Sequence, residues 1–221
     1  IYTRRGSQFI LGLKITPPYS LIKGTTDAQY AQMTTSEKYN LLEYHKWKFS
    51  GKVFTPLSAD SKLVLMARAE FGYLGHYNKN VKSPFESYYM GGDGMSSYSS
   101  YSTEYIAMRG YQSGSLTPYD PATGRNMGYV FNKFTMELRY PIALEQNATI
   151  WALAFVEAGN CFADIRDYNP FNLKRSAGIG VRLFLPMFGL MGIDWGWGFD
   201  PINGSTQYGG SQFHFVLGQE L

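Results

Sequence analysis

Cysteine is nearly missing from these 221 residues, and the single Cys161 has no partner for an internal disulfide, which excludes a disulfide scaffold. Histidine is as scarce: His45, His76 and His214 lie far apart and give no metal-ligand spacing, so no metal is expected. Neither sign of charge dominates. Twenty basic and 17 acidic residues leave +3, too slight and too evenly spread to form a footprint on nucleic acid. Long apolar runs are absent as well. None approaches the roughly 18 residues of a spanning helix, and the first residues lack the charged-then-apolar pattern of a signal peptide. There is no phosphate-cradling glycine loop and no Gly-x-Ser-x-Gly elbow, so no catalytic residue and no cofactor is assigned.

What the chain has is 18 Tyr, 15 Phe, 4 Trp and 24 Gly, arranged in alternation. Met191, Ile193, Trp195, Trp197 and Phe199 fall on one face of an extended segment, with Gly192, Asp194, Gly196 and Gly198 on the other. Ala177, Ile179, Val181, Leu183 and Leu185 likewise oppose Ser176, Gly178, Gly180 and Arg182, and Leu-Pro-Met-Phe-Gly turns between the two segments. Phe134, Met136, Leu138 and Tyr140 oppose Lys133, Thr135, Glu137 and Arg139. Further strands are predicted around 9–15, 47–53, 63–73 and 213–221, while 148–157 is apolar on both faces and its phase stays open. About eight strands of roughly ten residues match a tilted bilayer crossing. Short connections near 56–61, 141–147 and 186–189 alternate with long ones over 19–40, 76–128, 159–174 and 200–210. The pattern predicts an all-β fold, a transmembrane antiparallel β-barrel. A water-soluble sandwich or lipocalin-like barrel is the alternative, since its strands alternate too.

The connection over 76–128 is far longer than the roughly 12 to 15 residues usual for a structureless loop. It holds Phe85-Glu86-Ser87-Tyr88-Tyr89-Met90-Gly91-Gly92 and, after a Ser/Tyr-rich stretch, Met108-Arg109-Gly110-Tyr111. With Thr135-Met136-Glu137-Leu138-Arg139-Tyr140-Pro141, Phe155-Val156-Glu157-Ala158-Gly159, Ser176 to Arg182, Ile193-Asp194-Trp195-Gly196 and Phe213 to Gly218, the ordered set resembles the BamA family of outer-membrane assembly factors (bacterial surface antigen superfamily). The resemblance covers 85–221. It departs from the family in the roughly fifteen residues between Gly92 and Met108 and in ending on Leu221 where an aromatic is usual.

The resemblance implies that 1–221 is the C-terminal half of a sixteen-stranded barrel, with the N-terminal half-barrel and the periplasmic repeats absent from the sequence. It also implies that the 76–128 loop inserts into the lumen. Met108, Arg109, Gly110 and Tyr111 would form a loop-tip latch, with Glu137 and Glu157 as partners of the arginine. Alternation by itself also turns Glu137 inward. Arg182 and Asp194 are candidates for the same lumen network, or ordinary hydrated lining. Phe213, Phe215 and Gly218 would belong to a gate strand, with Gly218 at an inward kink. The implied function is folding and insertion of barrel proteins into the outer membrane of a Gram-negative bacterium through a lateral gate. The implied partners are nascent barrel proteins, accessory assembly lipoproteins and the lipid bilayer. A missing half-barrel or a second chain would close the barrel. Alternatives are a two-partner-type polypeptide secretion pore, an outer-membrane hydrolase, or a fragment that only pairs with another chain. Cys161 is expected as an incidental thiol in an extracellular loop.

Overall fold

The computed structural model describes residues 2–39, 42–78, 82–94, 103–121 and 124–218. In chain order the elements are β1 (Gly6–Ile15), α1 (Tyr19–Lys23), α2 (Asp27–Gln32), α3 (Thr35–Tyr39), β2 (His45–Pro56), β3 (Val64–Gly75), β4 (Tyr88–Met90), β5 (Glu104–Ile106), β6 (Tyr119–Asp120), β7 (Arg125–Asn126), β8 (Val130–Leu144), β9 (Thr149–Phe162), β10 (Lys174–Leu185), β11 (Gly189–Pro201) and β12 (Tyr208–Leu217). β1, β2, β3 and β8 to β12 form one eight-stranded antiparallel sheet in that order. The other four strands are short pairings within the connection from β3 to β8. Among the described residues β1 and β12 stand at opposite ends of the sheet and do not pair with each other.

Register shows why the residues alternate. Across β10 and β11, Ala177 faces Trp197, Ile179 faces Trp195 and Val181 faces Ile193 on one side, while Gly180 faces Asp194 and Arg182 faces Gly192 on the other. The apolar side is open: Phe9, Ile179, Trp197, Phe199, Phe213 and Phe215 are all exposed on it. The side bearing Asp194, Arg182, Glu137, Glu157 and Lys133 is covered, and those five charged residues are buried. A water-soluble sandwich would bury the aromatic face and hydrate the charged one, so the sheet is a barrel wall whose outer side faces hydrocarbon.

β9 settles the undecided phase. Trp151, Leu153, Phe155 and Glu157 point inward and are buried, whereas Ala154 and Val156 are exposed. Both faces are apolar because the inward one is covered by protein rather than water, Phe155 by Arg109 of the long loop and Trp151 by Tyr2. Pro141 is accommodated by a register shift between Pro141 and Ala143 on β8, the usual way a strand tolerates a residue without an N–H.

Four expectations need correction. The connection from β1 to β2 holds three short helices that strand alternation did not announce, although Thr34 and Glu37 form the reciprocal pair of a capping box, a signal readable in sequence. The connection expected over 159–174 shrinks to 163–173, and that over 200–210 to 202–207, because ladder pairing carries the strands further. Cys161 lies in β9, buried in an apolar cluster with Tyr88, Met90, Met108 and Phe131, not in an exposed loop. Gly218, where an inward kink is expected, stands directly after the last residue of β12. Its φ of +74° is incompatible with extended backbone, so the strand stops at Leu217. Glu220 and Leu221 lie outside the described residues.

The two faces make opposite demands, which can be measured. Ile179→Arg, on the outer face, is expected to destabilise the protein by about 2–4 kcal/mol in urea titrations from lipid vesicles if it sits near the midplane. An exposed isoleucine on a water-soluble protein would accept the same change within about 0.5 kcal/mol.

Candidate functional site

The long connection folds back against the wall, and its tip is made of Met108 to Tyr111. Arg109 is fully buried. Its Nη2 donates to Glu137 Oε1 at 2.7 Å and to Glu157 Oε1 at 2.8 Å, and its Nη1 lies 3.3 Å from Asp194 Oδ2. The backbone N–H of Arg109 donates to the other Glu157 oxygen at 2.8 Å. Its guanidinium carbon stands 3.6 Å from the centroid of the Phe155 ring, a stacking contact that a lysine could not reproduce.

Gly110 is pressed against the wall. Its φ is +82°, and a Cβ there would meet Gly198 N and Trp197 C at 2.8 Å and Ser176 Cβ at 2.9 Å. The close approach is mutual, because Gly196, Gly198 and Gly209 lack the side chains that would strike the backbone or ring of Gly110 and Tyr111. Tyr111 donates its hydroxyl to the Arg175 carbonyl at 2.8 Å, and burial pushes that hydroxyl up to about 12, so it remains a donor. Met108 and Tyr111 enter the apolar cluster with Tyr88, Met90, Leu116 and Phe131.

The departure between Gly92 and Met108 proves local. Met108 N donates to Gly92 O at 2.9 Å, and Gly92 N to Tyr111 O at 3.0 Å. β4 and β5 run parallel and pair Tyr88 with Glu104 and Met90 with Ile106. The two glycines therefore lie beside the tip despite the added residues. The part at 95–102 lies outside the described residues.

The sequence profile of the Omp85 superfamily domain matches residues 23–221. The chain belongs to the Omp85 superfamily. Its fold is similar to that in the crystal structure of BamA from Haemophilus ducreyi lacking POTRA domains 1–3, with a TM-score of 0.62 and 18% identity. The alignment covers 97% of this chain and 38% of that one, so the chain spans well under half the length of that protein. No curated protein sequence matches it.

In this Omp85 domain the carboxylates that meet Arg109 are themselves held from behind. Glu137 accepts from Arg139 Nη2 at 2.6 Å and Nε at 2.8 Å. Glu157 lies 3.1 Å from Lys133 Nζ and accepts from Thr135 Oγ1 at 3.2 Å. Asp194 receives Arg182 through a two-bond fork at 2.6 and 2.7 Å. The four cations Arg109, Lys133, Arg139 and Arg182 thus interleave with three carboxylates, each of which is shared. In a medium with little water such sharing replaces the hydration that burial removes.

Sequence reasoning named Arg182 and Asp194 only as candidates; the structure brings Asp194 to Arg109 and places Arg182 behind it, bonded to Asp194. It missed four members. His214, which offers no metal-ligand spacing in the sequence, accepts the Gly110 N–H on Nε2 at 2.8 Å, and register places it opposite Asp194. Lys133 and Arg139 shared the inward phase of Glu137, a signal that was present but unused. Phe155 had no signal, because its phase was open. Phe213 and Phe215 pair with Trp195 and Ile193 on the outer face and do not touch the tip. Gly218 donates its N–H to the Leu190 carbonyl at 2.7 Å, beyond the last pair of β12.

Arg109→Ala is expected to cost about 3–5 kcal/mol, since three buried carboxylates lose their shared cation. Arg109→Lys should recover only part, because one ammonium cannot fork to them. His214→Ala strands one buried N–H, for about 1–3 kcal/mol. Denaturant titration in detergent ranks the three, and His214→Ala equal to wild type would remove the histidine from the latch.

Proposed function

We propose that this chain is part of the barrel of an outer-membrane protein assembly factor, which folds and inserts other barrel proteins into the outer membrane of a Gram-negative bacterium. The observation that supports it most is the seating of Arg109-Gly110-Tyr111 against β8 to β12, with the tip backbone bonded to His214 on the last strand. A loop that braces the inner side of β12 controls how firmly that strand is held. When the tip withdraws, the glycine-lined faces of β11 and β12 lose their support. The edge of β12 is then available to pair with an incoming strand through main-chain hydrogen bonds. The work is done by strand pairing and by lipid displacement, with no covalent chemistry and no cofactor.

The outer face contributes to the same reading. Trp195, Trp197, Phe199 and Phe213 lie on adjoining strands and are exposed, and the Trp195 indole N–H is satisfied by Ser211 Oγ at 2.9 Å. Aromatic side chains of this kind favour the membrane interface and disturb lipid order beside the last strand. On this reading residues 1–221 are the C-terminal part of a wider barrel with a lumen-inserting loop at 76–128. The barrel is completed by an N-terminal half-barrel or a second chain and preceded by periplasmic repeats. The partners are nascent outer-membrane barrel proteins, accessory assembly lipoproteins and the bilayer. Phe213, Phe215 and Gly218 mark the gate strand.

In cells that depend on the full-length protein, Arg109→Ala should lower the outer-membrane levels of several unrelated barrel proteins together, measured by quantitative proteomics of the membrane fraction. If those levels stay normal while one secreted polypeptide disappears from the medium, the protein is a secretion pore and the assembly reading is wrong.

A further inference from the structure

Two carboxylates of the long connection take no part in the tip latch, and both meet lysines at the other end of the wall. Glu86 Oε2 lies 3.0 Å from Lys14 Nζ on β1 and 3.0 Å from Lys46 Nζ on β2, and the Glu86 carbonyl accepts from Lys46 at 2.9 Å. Glu104 Oε2 lies 2.8 Å from Lys46 Nζ, and its other oxygen pairs with Lys48. Lys46 is buried and is the bridge between the two carboxylates. Its ammonium also stands 4.7 Å from the centroid of the Tyr88 ring, so its removal from water is matched by two carboxylates and an aromatic face. The pairing of Tyr88 with Glu104 makes both acidic residues one rigid base for the loop.

The same connection therefore touches both terminal strands of the wall: β1 through Lys14 and β12 through His214. Between the two contacts it is stiffened by its own apolar cluster of Tyr88, Met90, Ile106, Met108 and Leu116. We propose that the loop is a tie across the wall with two separable fastenings, a lysine clasp on β1 and β2 and the arginine latch on β8 to β12. We further propose that the clasp releases first, loosening β1 and β2 while the tip stays seated. The order follows from solvent access at the carboxylates and the outer lysines. The bridge Lys46 is only 4% exposed, but Glu86 and Glu104 are 20% and 27% and Lys14 and Lys48 63% and 41% exposed, against 0% for Arg109 and 2% or less for its carboxylates, so salt and water reach the clasp more readily than the latch.

Acid acts in the same direction. Burial tends to raise both carboxyls, but Lys46 and Lys14 beside Glu86, and Lys46 and Lys48 beside Glu104, hold them below the usual 4.5. The neighbouring loop hydroxyl, that of Tyr88, stays protonated throughout this range. A depressed carboxyl stabilises the fold above its ordinary value and loses that contribution as pH falls through the depressed one, so clasp opening belongs below about pH 4.5.

Hydrogen exchange read by mass spectrometry on the full chain in detergent micelles tests the order. Glu86→Gln with Glu104→Gln should speed exchange of β1 and β2 amides about tenfold, the scale of two partly exposed pairs, and leave residues 208–217 as in wild type. Lys14→Gln with Lys48→Gln, both exposed and harmless to packing, should give a smaller change of the same pattern, as should 1 M salt. Arg109→Ala should show the reverse, with faster exchange in β12 and little in β1. If the clasp variants leave β1 and β2 unchanged, or loosen β12 equally, the tie with two independent fastenings does not exist. These readouts do not depend on what the protein inserts or exports.

Discussion

A guanidinium taken out of water has few places to go, and Arg109 has found the one that three strands were arranged to make. Glu137 on β8, Glu157 on β9 and Asp194 on β11 converge on it, and each is backed by a cation of the wall. None of these charges would be tolerable alone in the covered interior, so the position of the loop, the inward phase of β8 to β11 and the glycine surface under the tip stand or fall together. Such a network adds little net stability over an apolar core of the same volume. What it adds is specificity: the tip has one seat, and leaving it exposes several uncompensated charges at once.

The wall is shaped for that seat. Glycines at 196, 198 and 209 admit backbone where side chains would collide, and the tip glycine returns the close approach in a left-handed conformation that only glycine adopts cheaply. Tyr111 then hooks past the wall onto the Arg175 carbonyl. Loop and barrel are therefore one packed unit, with an apolar cluster at the end where the long connections lie and a charged network beneath it. The connection reaches both terminal strands of the sheet, β1 through Lys14 and β12 through His214.

Much of this was legible in the residues. Lys133, Thr135, Glu137 and Arg139 alternate cleanly with Phe134, Met136, Leu138 and Tyr140 because β8 has lipid on one side and a polar partner on the other, and a period of two follows directly from that difference. β9 was illegible for the same reason inverted: Phe155 lies under Arg109 and Trp151 against Tyr2 rather than in water, so both of its sides are apolar and no period remains. The three short helices between β1 and β2 escaped because elements of five or six residues carry almost no periodicity, and only their caps mark them. His214 escaped because a lone histidine in a strand has no local meaning until the backbone N–H that it accepts is brought 104 residues along the chain to meet it.

The order of residues alone thus determined the class of wall and the face that the strands other than β9 turn to hydrocarbon, and the resemblance singled out the arginine of the loop tip. The first two are local properties, set by alternation over ten residues. That Asp194 joins Glu137 and Glu157 on that arginine, that Gly91 and Gly92 lie beside the tip despite the added residues, and that lysines of the first two strands grip the base of the loop, were decided by tertiary structure. Each of these depends on curvature and register accumulated over eight strands, and no window of sequence contains them.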